Sequence, residues 1–337
     1  MSISYDVLGP PGGDNAAYVR IDSGQALTRL LFDCGANIVY PLGFGELQAV
    51  DLLLFSHLHM DHIGGFDSFF RANYSRPTKP NRVFGPPGSA AILQHRFQGF
   101  LWNLEGDSPV EWQVGDVYPD RIAAVRFRLR EAFAVARPLP PQMRQGMHVL
   151  DTPNFSLDAL EMDHRTPSLA YIVREKPRVN VDEARLRALA LPPGPWLQQL
   201  KTPLSNEAPT IAIAGQSYAL AALREALLTT TGGMSLAYCT DFLLDDAAHT
   251  RLVPALHGCD VLICECQYRA DDAELAARNY HMTAPQVARL ALEARVGQLI
   301  LFHISDRYRA PERQALLAEA QAIFPATQFP THWNSLG

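Results

Sequence analysis

The chain has 337 residues, 47% of them apolar and 19% charged, and a formal net charge of −6. An apolar fraction at the globular average excludes wholesale disorder. The negative balance excludes a surface coated in basic residues, though not a local basic patch. No stretch approaches the roughly 18–20 uncharged apolar residues of a membrane span. Residues 1–8 lack a basic n-region and a long apolar segment, and read as a strand rather than a secretory signal. Five cysteines (Cys34, Cys239, Cys259, Cys264, Cys266) are few and odd in number. That fits reduced thiols in a cytoplasmic protein better than a disulfide framework.

In chain order, strands are predicted at 3–8, 16–21 and 28–32, the last running into Asp33-Cys34-Gly35. Residues 50–55 form a short, almost continuously apolar run, the pattern of a strand covered on both faces. It leads into Ser56-His57-Leu58-His59-Met60-Asp61-His62-Ile63-Gly64-Gly65, and a helix is predicted over 66–73. Val83-Phe84 reads as a strand before a Gly-Pro-Pro-Gly turn, with a helix from Ser89 to about Trp102. Further strands are expected near 123–129, 155–162 and 169–173. The second half repeats the alternation, with strands at 210–214, 236–240, 260–264 and 298–303. Helices are predicted at 219–228, 284–294 and 311–322. Two strand-rich halves flanked by helices indicate an α/β protein, a four-layer αβ/βα sandwich.

Between the halves the composition changes. Pro177, Pro192-Pro193-Gly194-Pro195 and Pro203 interrupt a tract that also holds a helix-like run at 182–190. From Tyr171 to Ser205, six basic residues (Arg174, Lys176, Arg178, Arg185, Arg187, Lys201) meet three acids, a local balance of +3. We therefore expect a single sandwich domain made of 1–170 and 206–337, with 171–205 inserted as a protruding, basic, Pro/Gly-containing arm. An ordinary solvated insertion is the alternative.

The pattern His57-x-His59-x-Asp61-His62 places four potential metal ligands in six residues at the end of a buried strand. Loops at strand ends are where α/β sheets place their sites. Packing alone explains such a cluster poorly, because several of these groups would be left as unsatisfied polar groups. Imidazole and carboxylate donors suit zinc, and manganese or iron by the same donor type. Four ligands from one short loop do not converge readily on one tetrahedral ion, so two ions sharing a bridging group are expected. Three further strand ends offer ligands: His164 after 157–162, Asp241 after 236–240, and His303 after 299–302. The other histidines (His95, His148, His249, His257, His332) lack this setting. In Cys264-Glu265-Cys266, period-2 alternation puts both thiols on one face and Glu265 on the other, and the thiols read as core cysteines.

These motifs resemble the metallo-β-lactamase superfamily, whose hallmark is the His-x-His-x-Asp-His loop. The later motifs resemble its ribonuclease Z branch, the tRNA 3′-processing endonucleases. His164-Arg165-Thr166-Pro167-Ser168-Leu169-Ala170-Tyr171 is similar to that family's third motif, with Ala170 for the usual Gly. Leu191-Pro192-Pro193-Gly194-Pro195 with Leu200-Lys201 resembles its tRNA-gripping arm. Leu262-Ile263-Cys264-Glu265-Cys266, His281-Met282-Thr283-Ala284 and His303-Ile304-Ser305-Asp306-Arg307-Tyr308 resemble three further motifs. Two segments depart from the pattern: Asp33-Cys34-Gly35-Ala36-Asn37 and the opening Gly9-Pro10-Pro11-Gly12-Gly13.

The resemblance implies that one ion takes His57, His59 and His164, and the other Asp61, His62 and His303, with Asp241 bridging. It implies two divalent ions, zinc first and Mn2+ or Fe2+ as alternatives, and a metal-activated hydroxide that hydrolyses RNA at the 3′ end of precursor tRNA. Asp61 would orient or deprotonate the attacking water, and His281 would be the catalytic group that is not a ligand. Ser305 and Arg307 would lie near the scissile phosphate. Glu265 either fixes the His281 tautomer or is simply buried against a helix. A cytoplasmic homodimer without membrane contact is implied. The alternative is a hydrolase of the same fold acting on a small phosphodiester, ester or lactone, favoured by the altered opening and the overall acidity. A binding module with a vestigial site is the third reading, weakened because every ligand position is filled.

Overall fold

The computed structural model describes residues 3–24, 26–103, 108–201 and 210–335. Two compact units divide the chain, one of residues 1–175 and 234–337, the other of residues 176–233.

The larger unit contains two sheets. The first comprises β1 (Ile3–Leu8), β2 (Ala16–Asp22), β3 (Leu27–Phe32), β4 (Leu52–Leu54), β5 (Asn81–Gly85), β6 (Glu111–Val117), β7 (Arg121–Arg128) and β8 (Arg137–Pro138), in that spatial order, with β9 (Gln142–Met143) also pairing β7. Its centre is parallel, from β3 to β6, and its flanks are antiparallel. The second sheet begins with β10 (His148–Asp151), β11 (Phe155–Asp163) and β12 (Pro167–Glu175). The smaller unit contributes β13 (Arg178–Val181), β14 (Thr210–Ile213), β15 (Gln216–Ala219) and β16 (Leu228–Thr231). The second sheet then continues with β17 (Ser235–Cys239), β18 (Val261–Glu265), β19 (Gln298–Phe302) and β20 (Thr327–Gln328). From β17 to β20 it is parallel.

Alternating apolar residues bind the two sheets face to face. Phe32 of β3 stacks on Tyr238 of β17 at 5.3 Å and lies 5.7 Å from Tyr171 of β12. One buried cluster joins both sheets to α8 (Asp246–Leu256), α10 (Ala284–Glu293) and α11 (Ala310–Gln321). A second lies on the other face of the first sheet, under α1 (Gly43–Ala49), α3 (Phe66–Asn73) and α4 (Ser89–Phe97). Helix, sheet, sheet, helix is the expected four-layer order.

Three expectations need correction. The strand at 50–55 pairs only over Leu52–Leu54. The helix from Ser89 ends at Phe97 instead of near Trp102, where Gln98 and Gly99 close its last turn and Trp102 Nε1 donates to the Phe97 carbonyl at 2.8 Å. A side chain satisfies an orphan carbonyl there and stops the helix. The tract at 171–205 also does not mark the compact inserted unit. β12 runs on to Glu175, and Tyr171, Ile172 and Val173 are buried in the main core. Downstream, residues expected in the sandwich, on β14 and α7 (Leu220–Leu227), belong to the smaller unit. There Ile211, Ile213, Leu223 and Leu227 share a separate core with Leu186, Leu191, Trp196 and Leu200. That core also takes α5 (Glu183–Ala188), capped by the Asp182 side chain, and α6 (Trp196–Lys201). Residues 202–205 of the expected arm lie outside the described residues.

Candidate metal centre

The His57–His62 segment is placed by β4, whose three residues are fully buried between parallel neighbours. Past it the chain leaves the sheet, and His59 precedes the short helix α2 (Met60–Ile63). Asp61 and His62 therefore stand on the first helical turn while His57 and His59 precede it. The imidazole rings of His59 and His62 lie 4.6 and 4.1 Å from that of His57.

The second sheet delivers the remaining residues from the ends of its strands. His164 follows β11, and its ring lies 5.1 Å from both His57 and His59. Asp241 follows β17 and is buried at the centre. Its Oδ2 is 3.1 Å from His62 Nε2 and 3.7 Å from His303 Nε2, while its Oδ1 is 4.0 Å from His164 Nε2. One carboxylate thus faces both halves of the cluster. His303, after β19, reaches Asp61 Oδ2 at 3.5 Å. All seven residues expected as ligands converge.

His281, at the end of α9 (Ala273–Asn279), stands beside them. Its Nδ1 is 2.9 Å from Glu265 Oε2 and 3.4 Å from Asp241 Oδ1. Donor atoms of His57, His59 and His164 lie within 4.8 Å of one another, as do those of His57, Asp61 and His62, and those of Asp241, Glu265, His281 and His303. Glu265 is thus fully buried and in contact with His281. Ser305 donates its N–H to the Gln267 carbonyl at 3.2 Å. Arg307 lies over the Tyr268 ring at 5.4 Å and 3.5 Å from Asp272, and the Tyr268 ring is 5.9 Å from that of His281.

Several groups that orient this cluster escape the sequence reading. Asp33, fully buried after β3, accepts from Ser56 N–H and Oγ–H at 2.7 Å each and from the Tyr238 hydroxyl at 2.8 Å, and it contacts His62 Nδ1 at 2.8 Å. Ser56 Oγ also lies 3.1 Å from His57 Nδ1. Asn15 Oδ1 accepts from the His303 N–H at 3.2 Å. The available signal for Asp33 is the one that marks Asp241 and His303: a ligand-type residue ending an apolar strand.

Whether a cation fits can be judged from unsatisfied groups. His57 Nε2 and His62 Nε2 are buried without a hydrogen-bond partner among the described residues, while the Nδ1 atoms of both rings are occupied. Two buried imidazole nitrogens without a well-formed hydrogen bond, that of His62 lying 3.1 Å from the Asp241 carboxylate, make a donor set that suits a metal ion. Electrostatics agrees. Burial and the neighbouring His62 push the His57 ring down to about 2, so it is a neutral donor. Against the pull of burial, Asp241 and Asp33 hold His62 well above its ordinary value, and Glu265 raises His281 to about 9. Burial opposes it, yet contacts to His303 and His62 hold Asp61 well below the carboxylate range, and Asp241 is lowered likewise by the same two rings. The carboxylates gather positive charge, and the nitrogen-and-oxygen donor set fits divalent ions.

This fold and donor cluster define a metal-dependent hydrolase of the metallo-β-lactamase class. A family profile described as "Beta-lactamase superfamily domain" matches residues 28–177. Solved structures of like fold include the metallo-β-lactamase fold protein YhfI from Bacillus subtilis (TM-score 0.56, 16% identity, 98% of this chain and 96% of that one) and yeast PDE1 (TM-score 0.55, 11% identity, 98% and 97%). Ribonuclease Z of Deinococcus radiodurans is 47% identical over 331 residues, 98% of either chain, and that of Synechococcus sp. strain WH7803 is 30% identical over 94% of this chain and 89% of its own. The chain belongs to the ribonuclease Z family.

Proposed function

We propose that this protein is an endoribonuclease that cleaves precursor tRNA at its 3′ end. The 47% identity to a ribonuclease Z along 98% of both chains carries the reading, because that similarity spans the whole site as well as the fold.

His57, His59 and His164 would hold one ion, and Asp61, His62 and His303 a second, with Asp241 shared between them. The donor set suits zinc. When bound, such ions acidify water and neutralise charge that builds on a phosphoryl group. The chain's own residues do the rest. Asp61 orients the attacking water and accepts its proton. Glu265 holds His281 Nδ1, which leaves Nε2 to serve the departing 3′-oxygen as a proton donor. Ser305 and Arg307 steady the substrate phosphate, and for Arg307 this means exchanging Asp272, a partly exposed partner, for phosphate oxygens. The inserted unit would grip RNA away from the cut through its cations.

A cytoplasmic homodimer completes the proposal. All five cysteines are free and buried, and among the described residues no helix is long and apolar enough to cross a membrane. Support for self-association comes from one face of the larger unit. Tyr40, Phe44, Phe100 and Leu101 are exposed there, beside adjoining grooves of about 400 and 260 Å3 that share Ser68 and Arg71. Exposed apolar patches of this kind mark interaction surfaces.

The test is cleavage of a precursor tRNA by the metal-loaded protein, against bis(p-nitrophenyl) phosphate. Endonucleolytic cut products at the 3′ trailer are expected. Efficient turnover of the small diester with no tRNA cleavage would instead favour the small-molecule hydrolase.

A further inference from the structure

The turn between β11 and β12 does more than supply His164. His164 and Arg165 are consecutive, and both reach the same short piece of chain at the end of α9. The His164 ring places Nδ1 2.8 Å from the Tyr280 carbonyl. Arg165 Nη2 donates to the Arg278 carbonyl at 2.6 Å, and its guanidinium lies over the Tyr280 ring at 4.9 Å. Arg165 is itself fixed: its backbone is left-handed, with φ of 58°, and its N–H donates to Asp163 Oδ1 at 2.8 Å.

The gripped segment has an unusual end. Tyr280 adopts φ of 61°, its N–H donates to the Ala277 carbonyl, and the His281 N–H donates to the Ala276 carbonyl at 2.9 Å. This is the Schellman arrangement, in which the left-handed position usually belongs to glycine. A tyrosine there is disfavoured sterically, so the turn needs outside support to persist. The carbonyls at a helix C-terminus lack helical partners, and here the two consecutive side chains capture two carbonyls of that turn. The next residue is His281.

We propose that Arg165 is a positioning residue: by clamping the C-terminal turn of α9 it holds His281 against Glu265 and ties that histidine to the turn that carries His164. Its effect on turnover rests on the reading of His281 as the group serving the leaving oxygen; its effect on the turn does not. An arginine suits the task because a planar guanidinium can donate in its plane while its face lies on an aromatic ring. The competing role, a direct contact to substrate phosphate, makes a different prediction.

The test uses Arg165→Gly and Arg165→Asn, both of which accept φ near 58° and remove the clamp without backbone strain. Hydrogen exchange is measured over residues 276–281, together with metal content and single-turnover cleavage of precursor tRNA. Faster exchange across that turn is expected in both variants, with metal content kept. The cleavage rate at saturating RNA should fall by about 10- to 100-fold, the scale of a small misplacement, with KM little changed. Adding Arg165→Gly to His281→Ala should lower the rate no further. Unchanged exchange overturns the proposal, and so does loss of metal, which would locate the effect at His164. A raised KM with additive losses assigns Arg165 to substrate phosphate instead. If His281→Ala alone leaves cleavage intact, the role of His281 fails, and the exchange data still decide whether Arg165 holds the turn.

Discussion

If the inserted unit is the RNA grip, excising residues 176–233 should separate RNA binding from chemistry, and the two ends of the cut are neighbours in the larger unit. The unit is inserted within a hairpin. β12 and β17 are antiparallel neighbours, the Glu175 N–H donates to the Met234 carbonyl at 2.8 Å, and Arg174 faces Ser235. A two-residue Asn-Gly turn joining Glu175 to Met234 matches the twist of such a pair. The removed residues carry six basic and four acidic side chains, net +2 in a chain of −6. Two of the cations, Arg185 and Arg187, pair with Asp182 and Glu183 on an exposed helix, and such pairs exchange readily for phosphates. If three of the six meet RNA, at roughly 0.7–0.9 of slope per contact, a fourfold rise in salt weakens the intact protein by about 20- to 40-fold more than the excised one. The assay is binding and cleavage of precursor tRNA at 50 and 200 mM salt, beside bis(p-nitrophenyl) phosphate hydrolysis. KM for RNA should rise at least about tenfold on excision, while small-diester turnover changes by less than about twofold. An excised protein that keeps the full salt slope refutes the assignment of RNA binding to this unit.

Chelator-stripped protein should take up two divalent ions per chain, read by elemental analysis; well under one after reconstitution would contradict the seven-ligand cluster. His281→Ala should keep its metal and cut precursor tRNA turnover by about 10²- to 10⁴-fold, the range for a lost acid–base group. Metal loss in that variant would make His281 a ligand. Asp33→Asn should weaken metal retention against a competing chelator by about 10- to 100-fold, because His62 loses its orienting carboxylate. Tyr238→Phe, which removes one donor from the same buried carboxylate, should lower stability by about 1–3 kcal/mol, measured by denaturant unfolding of the metal-free protein. No loss in either variant would reduce Asp33 to a bystander.

The cluster of candidate ligands is legible in the sequence because each member ends a recognisable apolar strand or sits in one dense loop. His57 to His62 announces itself by density alone. Asp241 and His303 are found because the strands before them, Leu236–Cys239 and Leu299–Phe302, are apolar throughout. What orients the ligands is not legible. Tyr238 looks like any core aromatic, and only the stacking of one sheet on the other brings its hydroxyl to Asp33, 205 residues away. The extent of the inserted unit, residues 176–233, is not legible for a related reason. Proline and charge mark its first stretch, but β14 and α7 supply apolar residues much as the sandwich elements do, and composition alone does not say which core they join. Arg165 is visible in the sequence beside His164, yet its partner carbonyl lies 113 residues on.

Three strands of the sandwich end at the site in the same way. Asp33 after β3, Asp241 after β17 and His303 after β19 all adopt left-handed backbone, with φ of 58°, 55° and 50°. With Arg165 and Tyr280 they make up five of the eleven described non-glycine residues of positive φ, so the unfavourable conformations concentrate here. Each costs on the order of 1 kcal/mol. A chain that reverses hand just past the end of a strand turns that side chain off the alternation of the sheet, which lets donor groups from separate strands meet beyond the strand ends. Side chains then hold the reversals in place: Ser56, His62 and Tyr238 around Asp33, Thr240 on Asp241, and Asn15 at the His303 N–H. Glycine would relax any of the three turns and at once remove a side chain that builds the site. The strain therefore persists at residues whose chemistry leaves no easier conformer, and the rigid strands beneath them keep it from spreading.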